Sequence, residues 1–202
     1  IMVFDISPDY LDSLAPGELP EAIAVIGQPD SNTRNSGSGQ DGIGGGGEPV
    51  VDDERQLLFF ADGGNNRVLV YNIAPDNLES GMDAMAVIGQ PDFNSTQPQE
   101  GAEGLMRPGD LAYDPEKQIL FVGDAKKRVM VFDVSAQALD TNAHKTAFAV
   151  IGQTDFDSGA PRTSMRKFSS GGPIDLDYVN NRLFSATFTE NRVLIFDVSP
   201  EN

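Results

Sequence analysis

The sequence contains no cysteine and only one histidine, His144. The lack of cysteine excludes disulfide bridges, cysteine-ligated zinc, iron–sulfur clusters and thiol nucleophiles, although it does not decide the cellular compartment. A single histidine cannot build a multi-histidine metal centre, and without a Gly-x-Ser-x-Gly elbow it gives no basis for triad-type hydrolase chemistry. Because His144 stands in a polar connection, we expect its side chain to be exposed.

Long apolar segments and basic clusters are also missing. No apolar run approaches the roughly 20 residues that a membrane-spanning helix requires, and no basic segment followed by a hydrophobic one stands at the start. The 14 Lys and Arg residues are dispersed among 31 Asp and Glu residues, and the net charge is −17. A polyanion is therefore repelled at long range, so the sequence predicts neither membrane insertion nor nucleic-acid binding.

The chain nevertheless has the composition of a folded protein. Its 202 residues are 39% hydrophobic and 22% charged, which supplies enough apolar material for a substantial core. The first residue is Ile1 rather than Met, and residues 1–6 have the composition of a strand interior. We therefore expect the chain to begin inside a longer gene product.

Two motifs recur with a common period. Ala-Val-Ile-Gly-Gln, followed by Pro or Thr and then Asp, occurs at residues 24–30, 86–92 and 149–155, and its glycines at 27, 89 and 152 are 62 and 63 residues apart. An arginine followed by an apolar segment occurs at residues 67–73, 128–134 and 192–198, with residues 1–6 as a truncated fourth copy. One structural unit therefore recurs about every 63 residues.

The clearest unit contains four strand-like segments. They are short, rich in Val, Ile, Leu and Phe and bounded by turn residues, at 110–114, 119–123, 128–134 and 147–151. Apolar runs such as residues 68–71 lack the alternation of a half-solvated sheet, so neighbouring sheets should cover both of their faces. The sequence thus predicts an all-β fold of stacked four-stranded blades.

The same pattern divides the single domain, residues 1–202, into four parts. These are a partial blade at 1–30, complete blades at 48–92 and 110–155, and a partial blade at 173–202. They contain about thirteen strands, counted as two, four, four and three, which make three blades per chain.

Several segments resemble the NHL repeat. They are residues 107–114, 119–124 and 127–129 of one unit and the stretch Asp-Gly-Gly-Asn-Asn-Arg-Val at 62–68 of the unit before it. The Gly-Gln-Pro-Asp segments are similar to insertions in large bacterial NHL-repeat proteins. Two of the units depart from this pattern. Thr187 stands where the other copies have Asp, and in the first complete unit the glycine-rich residues 44–47 stand where the next unit has residues 105–108.

The resemblance implies a β-propeller, commonly six-bladed, and a range of functions. Most members of the family bind proteins, peptides, glycans or RNA, and a few relatives are metal-dependent lyases or lactonases. The fold alone does not choose among these functions.

Each unit places an arginine just after the tight turn between its second and third strands. Asp62 faces Arg67 across this turn and Asp124 faces Arg128, while Arg192 is the third copy of the arginine. We interpret these residues as ion pairs that brace the turn, because Asp and Asn at such turns commonly satisfy their own backbone.

Three acids, Glu48, Asp110 and Asp175, align at the start of the innermost strands when the units are superposed by sequence. Carboxylates that converge on the propeller axis would suit Ca²⁺ or Mg²⁺, which prefer hard oxygen ligands. Each acid is equally suited to accept hydrogen bonds from neighbouring loop amides. A calcium site is thus one of two interpretations, and otherwise we expect no cofactor.

The connections from the fourth strand of one unit to the first strand of the next are long, as at residues 28–47, and we expect them all on one face. Such loops often carry function, although they are also tolerated as insertions. In two of them Asp92 precedes Phe93 and Asp155 precedes Phe156. With Arg107, these are our candidate ligand-binding residues. The alternative is that both phenylalanines fold back over the core.

These observations favour a non-catalytic scaffold that binds a protein, peptide or glycan. The alternative is a calcium-dependent propeller hydrolase or lyase of the lactonase-like class, and a third possibility is a purely architectural spacer. Three blades cannot close a ring, whereas two copies related by a twofold axis would supply six. Because residues 1–6 and 193–198 copy the same third strand, a fragment of a longer propeller would also explain the pattern.

Overall fold

The computed structural model describes residues 1–158, 173–187 and 191–199. Within these residues the chain forms four antiparallel sheets of two, four, four and three strands, with two helices, α1 (Pro8–Ser13) and α2 (Ala136–Thr141). No helix in this part of the chain is long and apolar enough to span a bilayer. The predicted all-β fold and the predicted distribution of thirteen strands are confirmed.

The sheets follow one another along the chain. The first sheet contains β1 (Met2–Phe4) and β2 (Ala22–Val25). The second contains β3 (Pro49–Asp52), β4 (Leu57–Asp62), β5 (Arg67–Asn72) and β6 (Ala86–Ile88). The third contains β7 (Asp110–Asp114), β8 (Ile119–Asp124), β9 (Arg128–Asp133) and β10 (Ala149–Ile151), and the last contains β11 (Ile174–Asp177), β12 (Arg182–Thr187) and β13 (Arg192–Asp197).

Strands within each sheet pair in sequence order, and the register repeats between sheets. Val68 lies opposite Ile88 in the second sheet, as Val129 lies opposite Ile151 in the third. In the first sheet the Ile1 amino group donates to the Ile26 carbonyl at 2.8 Å, in the same register. Strands β1 and β2 are therefore the third and fourth strands of a blade.

The core lies between neighbouring sheets. Alternate residues of β5 face opposite ways, so Val68 and Val70 pack toward the third sheet while Leu69 and Tyr71 pack toward the first. All four side chains are fully buried. The first strands β3, β7 and β11 lie side by side. Continuous apolar runs are stable as strands here because both faces are covered, which is the arrangement of β-propeller blades.

The turn between the first and second strand of each blade has a recurrent design. Asp52, Asp114 and Asp177 each accept a hydrogen bond from the amide three residues later, at 3.0, 2.9 and 3.1 Å. The residue that follows, Gln56 or Gln118 in the complete blades, has a left-handed φ of 54° or 55°. An aspartate that satisfies the turn's own amide explains why this short reversal recurs with acids at its start.

His144 differs from the expectation. Its side chain is 1% exposed, whereas we predicted an exposed linker residue. A 3-10 turn, Ala143–Lys145, follows α2 and brings the Nδ1 atom within 3.0 Å of the Ala138 carbonyl oxygen. The connection between β9 and β10 therefore folds back on itself and encloses the imidazole.

Candidate functional site

The long loops and the turns between second and third strands share one face of the molecule, which we call the loop face. It contains loops 27–48 and 89–109 with turns 62–67 and 124–128. Hydrogen bonds between these four segments establish the grouping. Of the residues between β10 and β11, the structure describes 152–158 and 173.

Arg67 joins two successive loops to its own turn. The Nε atom donates to the Asp62 carboxylate at 2.9 Å, and both side chains are fully buried. One terminal nitrogen donates to the Gly42 carbonyl at 2.8 Å, and the other donates to the carbonyl of Phe93. The guanidinium therefore ties the loop that enters the blade to the loop that leaves it.

Arg128 repeats this arrangement one blade further along. Its guanidinium donates to Asp124, with a shortest distance of 3.0 Å, to the Gly104 carbonyl at 2.9 Å and to the carbonyl of Phe156. Both side chains of the ion pair are again fully buried. The ion pairs expected from sequence are present, but each arginine also holds two loops, which the sequence did not reveal.

Burial affects the carboxylate of this second pair. Desolvation raises the pKa of Asp124, and the Arg128 guanidinium with the amides of Met106 and Lys126 offsets only part of that effect. A charged pair without water contributes to stability only while every partner remains in place. The Asp124–Arg128 pair is thus sensitive to the loss of either member.

The third arginine of the series, Arg192, lies opposite Thr187 across β12 and β13 and is half-buried. Residues 188–190 between them lie outside the described part of the chain, so a turn-bracing role for Arg192 stays a prediction.

In the second and third Gly-Gln-(Pro/Thr)-Asp segments, a buried glutamine fastens the loop to the turn that its blade's arginine braces. The Gln90 amide donates to the carbonyls of Asn66 and Gln97, at 3.1 and 2.8 Å. The Gln153 amide donates to the carbonyls of Lys126 and Lys127, at 3.3 and 3.0 Å. These positioning residues were missed by the sequence analysis, although the recurrence of the glutamine was visible.

The glycine-rich run at 42–47 packs closely against its blade at Gly44 and Gly47. A Cβ at Gly44 would lie 2.6 Å from the Asn65 side chain, and one at Gly47 would lie 2.4 Å from the Ala61 carbonyl oxygen. The Gly44 amide also donates to Asp62 at 2.9 Å, as the Met106 amide donates to Asp124 at 3.2 Å. Only glycine permits this approach, and residue 44 is the counterpart of 106 rather than of 105 as the sequence suggested.

Asp92 and Asp155 lie exposed on the loop face, where each closes a turn. One oxygen of Asp92 accepts from the amides of Asn94 and Ser95, at 2.9 and 2.8 Å, and these bonds lower the pKa of the carboxyl. For Asp155, hydrogen bonds from the Ser158 hydroxyl and amide lower the pKa. Each loop tip therefore presents an ionised carboxylate fixed by its own backbone.

The other candidate ligand-binding residues occupy different environments. Phe93 and Phe156 are half-buried and pack against the core. Arg107 is exposed and has a left-handed φ of 44°, with its amide donating to the Asn66 side chain at 2.8 Å. Of this set, the structure presents Asp92, Asp155 and Arg107 to solvent, and ligand binding by any of the five stays a prediction.

The proposed alignment of three acids is wrong for one member. The Ala61 amide donates to the Glu48 carbonyl and the Ala186 amide donates to the Pro173 carbonyl, so Pro173 is the counterpart of Glu48. Asp110 is the corresponding residue of β7, opposite Gly123. Asp175 lies two residues beyond this position, because the sequence alignment used an offset of 65 where β11 follows one of 63.

The three acids also fail to converge on a metal position. Glu48 and Asp175 line a groove of about 800 Å³ along the inner strands, whereas Asp110 lines a separate cavity beside Gly123 and Asp124. Burial raises the pKa of Asp110. In residues 1–158, 173–187 and 191–199, no group of three or more His, Cys, Asp or Glu side chains is placed to hold a metal ion.

Solved structures with a similar arrangement of strands include β-propellers. One is the Swd1 β-propeller domain of Myceliophteria thermophila, with 10% identity over 84% of this chain and a TM-score of 0.47. Another is a candidate 6-phosphogluconolactonase of Bacteroides uniformis, with 18% identity over 76% of this chain and a TM-score of 0.49. A third belongs to a mitotic checkpoint complex, with 14% identity over 74% of this chain and a TM-score of 0.44.

The chain spans only 34 to 38% of the length of these proteins. No protein-family model matches the sequence, and no curated protein matches it either. At these identities and TM-scores, the likeness adds nothing to what the strand order and stacking of this chain already show. The molecule is defined by its own geometry as a set of propeller blades with a cross-linked loop face.

Proposed function

We propose that the chain is a non-catalytic binding scaffold of NHL-type blades, which presents its loop face to a protein, peptide or glycan. The observation that supports this proposal most directly is that loop 89–109 is held near both ends, by Arg67 at the Phe93 carbonyl and by Arg128 at the Gly104 carbonyl. A loop held in this way loses little conformational freedom when it binds, so more of the contact energy appears as affinity.

The chemistry available on the loop face also supports binding. Asp92 and Asp155 offer fixed carboxylates, and Arg107 offers an exposed guanidinium on a backbone held by Asn66. Carboxylates and guanidinium groups recognise hydroxyl, amide and ionic groups of peptides and sugars. The one histidine of the chain is buried, which leaves it unsuited to act as a base toward a ligand. In this role the protein requires no cofactor.

A loop-face test needs probes of both ligand classes. The biotinylated chain is applied to a displayed random-peptide library and to a glycan array, and the retained probes are measured again with variants. Two variants change exposed charges of the loop face. Arg107→Gly introduces the residue found at the counterpart position 45, and Asp92→Ser can still close the turn. We expect each variant to lower the affinity for the retained probes about tenfold. Glu116→Ala, on an exposed turn of the opposite face, serves as the matched control.

Two results would count against a scaffold. If no probe is retained on either array, the loop face is not a general binding surface. If a panel of lactones is hydrolysed in millimolar Ca²⁺ and not after chelation, the calcium-dependent hydrolase is the better assignment.

We further propose that two chains associate into a six-bladed ring. The first sheet supplies only third and fourth strands, and no strand among the described residues pairs with the outer edge of β13. Apolar side chains are exposed at both ends, with Ile6 at 75%, Met2 at 56%, Val193 at 58% and Ile195 at 59%. Exposed apolar sheet faces and unpaired edges favour association.

One strand per chain is redundant in this ring, because β1 and β13 are both third strands. Association would displace one of them to an edge. Light scattering after size-exclusion chromatography distinguishes the states, and a stable monodisperse monomer at micromolar concentration would contradict the dimer.

A further inference from the structure

A groove runs along the inner strands β3, β7 and β11, separate from the tips of the loop face. Its volume is about 800 Å³. It extends from Glu48, which precedes β3, to the turn residues Asp53 and Glu54, and it also includes Asp175 and Tyr178 of the last sheet and its turn. An inner strand of four to five residues is about 15 Å long at the usual rise, so the groove accommodates a short extended segment.

Every ionisable side chain that lines this groove, apart from the tyrosines, is an acid. The five acids are Glu48, Asp52, Asp53, Glu54 and Asp175. Asp52 is neutralised locally, since Arg55 donates to it at 2.6 Å and the Tyr113 hydroxyl donates at 2.5 Å. Within the part of the chain that the structure describes, the other four acids form no ion pair, so their charges add within a concave surface.

The floor of the groove is partly apolar and accessible. Val51 is 45% exposed and Tyr178 is 37% exposed, while Leu176 and Val50 are half-buried. Aliphatic stems of Lys and Arg cover such surfaces while their charged ends reach carboxylates, and a tyrosine ring attracts a nearby cation. The acidic side chains and the apolar floor therefore both favour an occupant with long basic side chains.

The geometry points to a basic, extended peptide segment of a partner protein as the occupant of this groove. Long cationic side chains would contact the four carboxylates, and the intervening apolar side chains would cover Val51 and Tyr178. A small polyamine would satisfy the charges but leave the floor exposed, and a nucleic acid would be repelled by them. This site is independent of the loop face proposed above, so either assignment can fail without the other.

The test uses a fluorescein-labelled octapeptide that alternates valine with lysine or arginine, in fluorescence anisotropy titrations of the full chain. We expect saturable one-to-one binding that weakens with added salt. The double variant Asp53→Lys, Glu54→Lys should bind about tenfold more weakly, because it replaces two attractions with repulsions. The double variant Asp76→Lys, Glu79→Lys is the matched control, since it changes the net charge equally at exposed acids outside the groove.

A second pair of variants tests the apolar floor without changing charge. Tyr178→Ala should weaken the same peptide several-fold, whereas Val179→Ala, at an exposed neighbour that does not line the groove, should leave its affinity unchanged. An octapeptide with glycine in place of valine should lose affinity as well. The proposal is overturned if the two charge-reversed variants weaken binding equally, or if Tyr178→Ala has no effect, because both results indicate attraction to the overall charge alone.

Discussion

The buried ion pair between Asp124 and Arg128 allows a quantitative test of the fold. Replacing Arg128 with alanine leaves the Asp124 carboxylate buried without its cation, which costs about 3–5 kcal/mol. The carbonyls of Gly104 and Phe156 also lose their donor, which adds about 1 kcal/mol or more. We therefore expect a loss of about 5 kcal/mol, a large part of the about 5–15 kcal/mol that stabilises a typical domain.

Urea denaturation followed by circular dichroism measures this loss. With a slope of about 2–3 kcal/mol/M, the midpoint should fall by about 2 M. Arg34→Ala is the control, because Arg34 is exposed, and it should change stability by less than about 0.5 kcal/mol.

A double variant separates the buried charge from the lost loop contacts. In Arg128→Met with Asp124→Asn, no uncompensated charge remains, and the asparagine oxygen still accepts from the Met106 amide. We expect this variant to recover about half of the lost stability. If Arg128→Ala unfolds at the wild-type midpoint but loses ligand binding, Arg128 is a binding residue and the structural reasoning fails.

Three further predictions follow from the same geometry. Gly89→Ala should cost about 2 kcal/mol or more, because φ is +85° and a Cβ would lie 2.5 Å from Leu105, whereas Gly46→Ala, with nothing within 4 Å, should be neutral; urea midpoints compare them. Burial opposes ionisation of Asp52, but hydrogen bonds from Tyr113 and Arg55 outweigh it and lower its pKa. Stability from Asp52 should thus be present above about pH 4 and fall below it. Asp52→Asn should show a shallower acid loss in unfolding titrations, and an identical slope would contradict the assignment. Finally, the −17 charge predicts little affinity for DNA or RNA, which submicromolar, salt-sensitive binding in anisotropy assays would disprove.

The strands could be predicted because their determinants are local. The segment 68–71 is apolar without alternation, so its burial on both faces followed from composition alone. The turn at Asp52 likewise depends on a hydrogen bond to an amide only three residues away. Where sequence and structure agree, the interacting groups lie within one repeat.

The errors concern contacts between different repeats, the alignment of one repeat with another, and a local turn. Arg67 could be paired with Asp62 from their spacing, but its bonds to the Gly42 and Phe93 carbonyls involve backbone groups that carry no sequence signature. Asp175 was misaligned because Leu176 was matched with Leu111 at an offset of 65, whereas the strand pairing of β11 with β12 follows an offset of 63. His144 was assigned to solvent because its enclosure depends on a 3-10 turn that its neighbours do not predict.

Comparing the repeats also indicates where specificity resides. The Asp–Arg pairs of both complete blades hold loops, so these repeated residues are explained by the fold. Residues that differ between copies lack such an explanation. Arg107 has Gly45 as its counterpart, since the preceding residues, Met106 and Gly44, each donate an amide hydrogen bond to the turn aspartate. Arginine at a left-handed φ of 44° bears a local backbone cost that glycine would not. Because the fold gives no reason for an exposed charge at this position, Arg107→Gly tests ligand contact more directly than a change at either turn-bracing arginine.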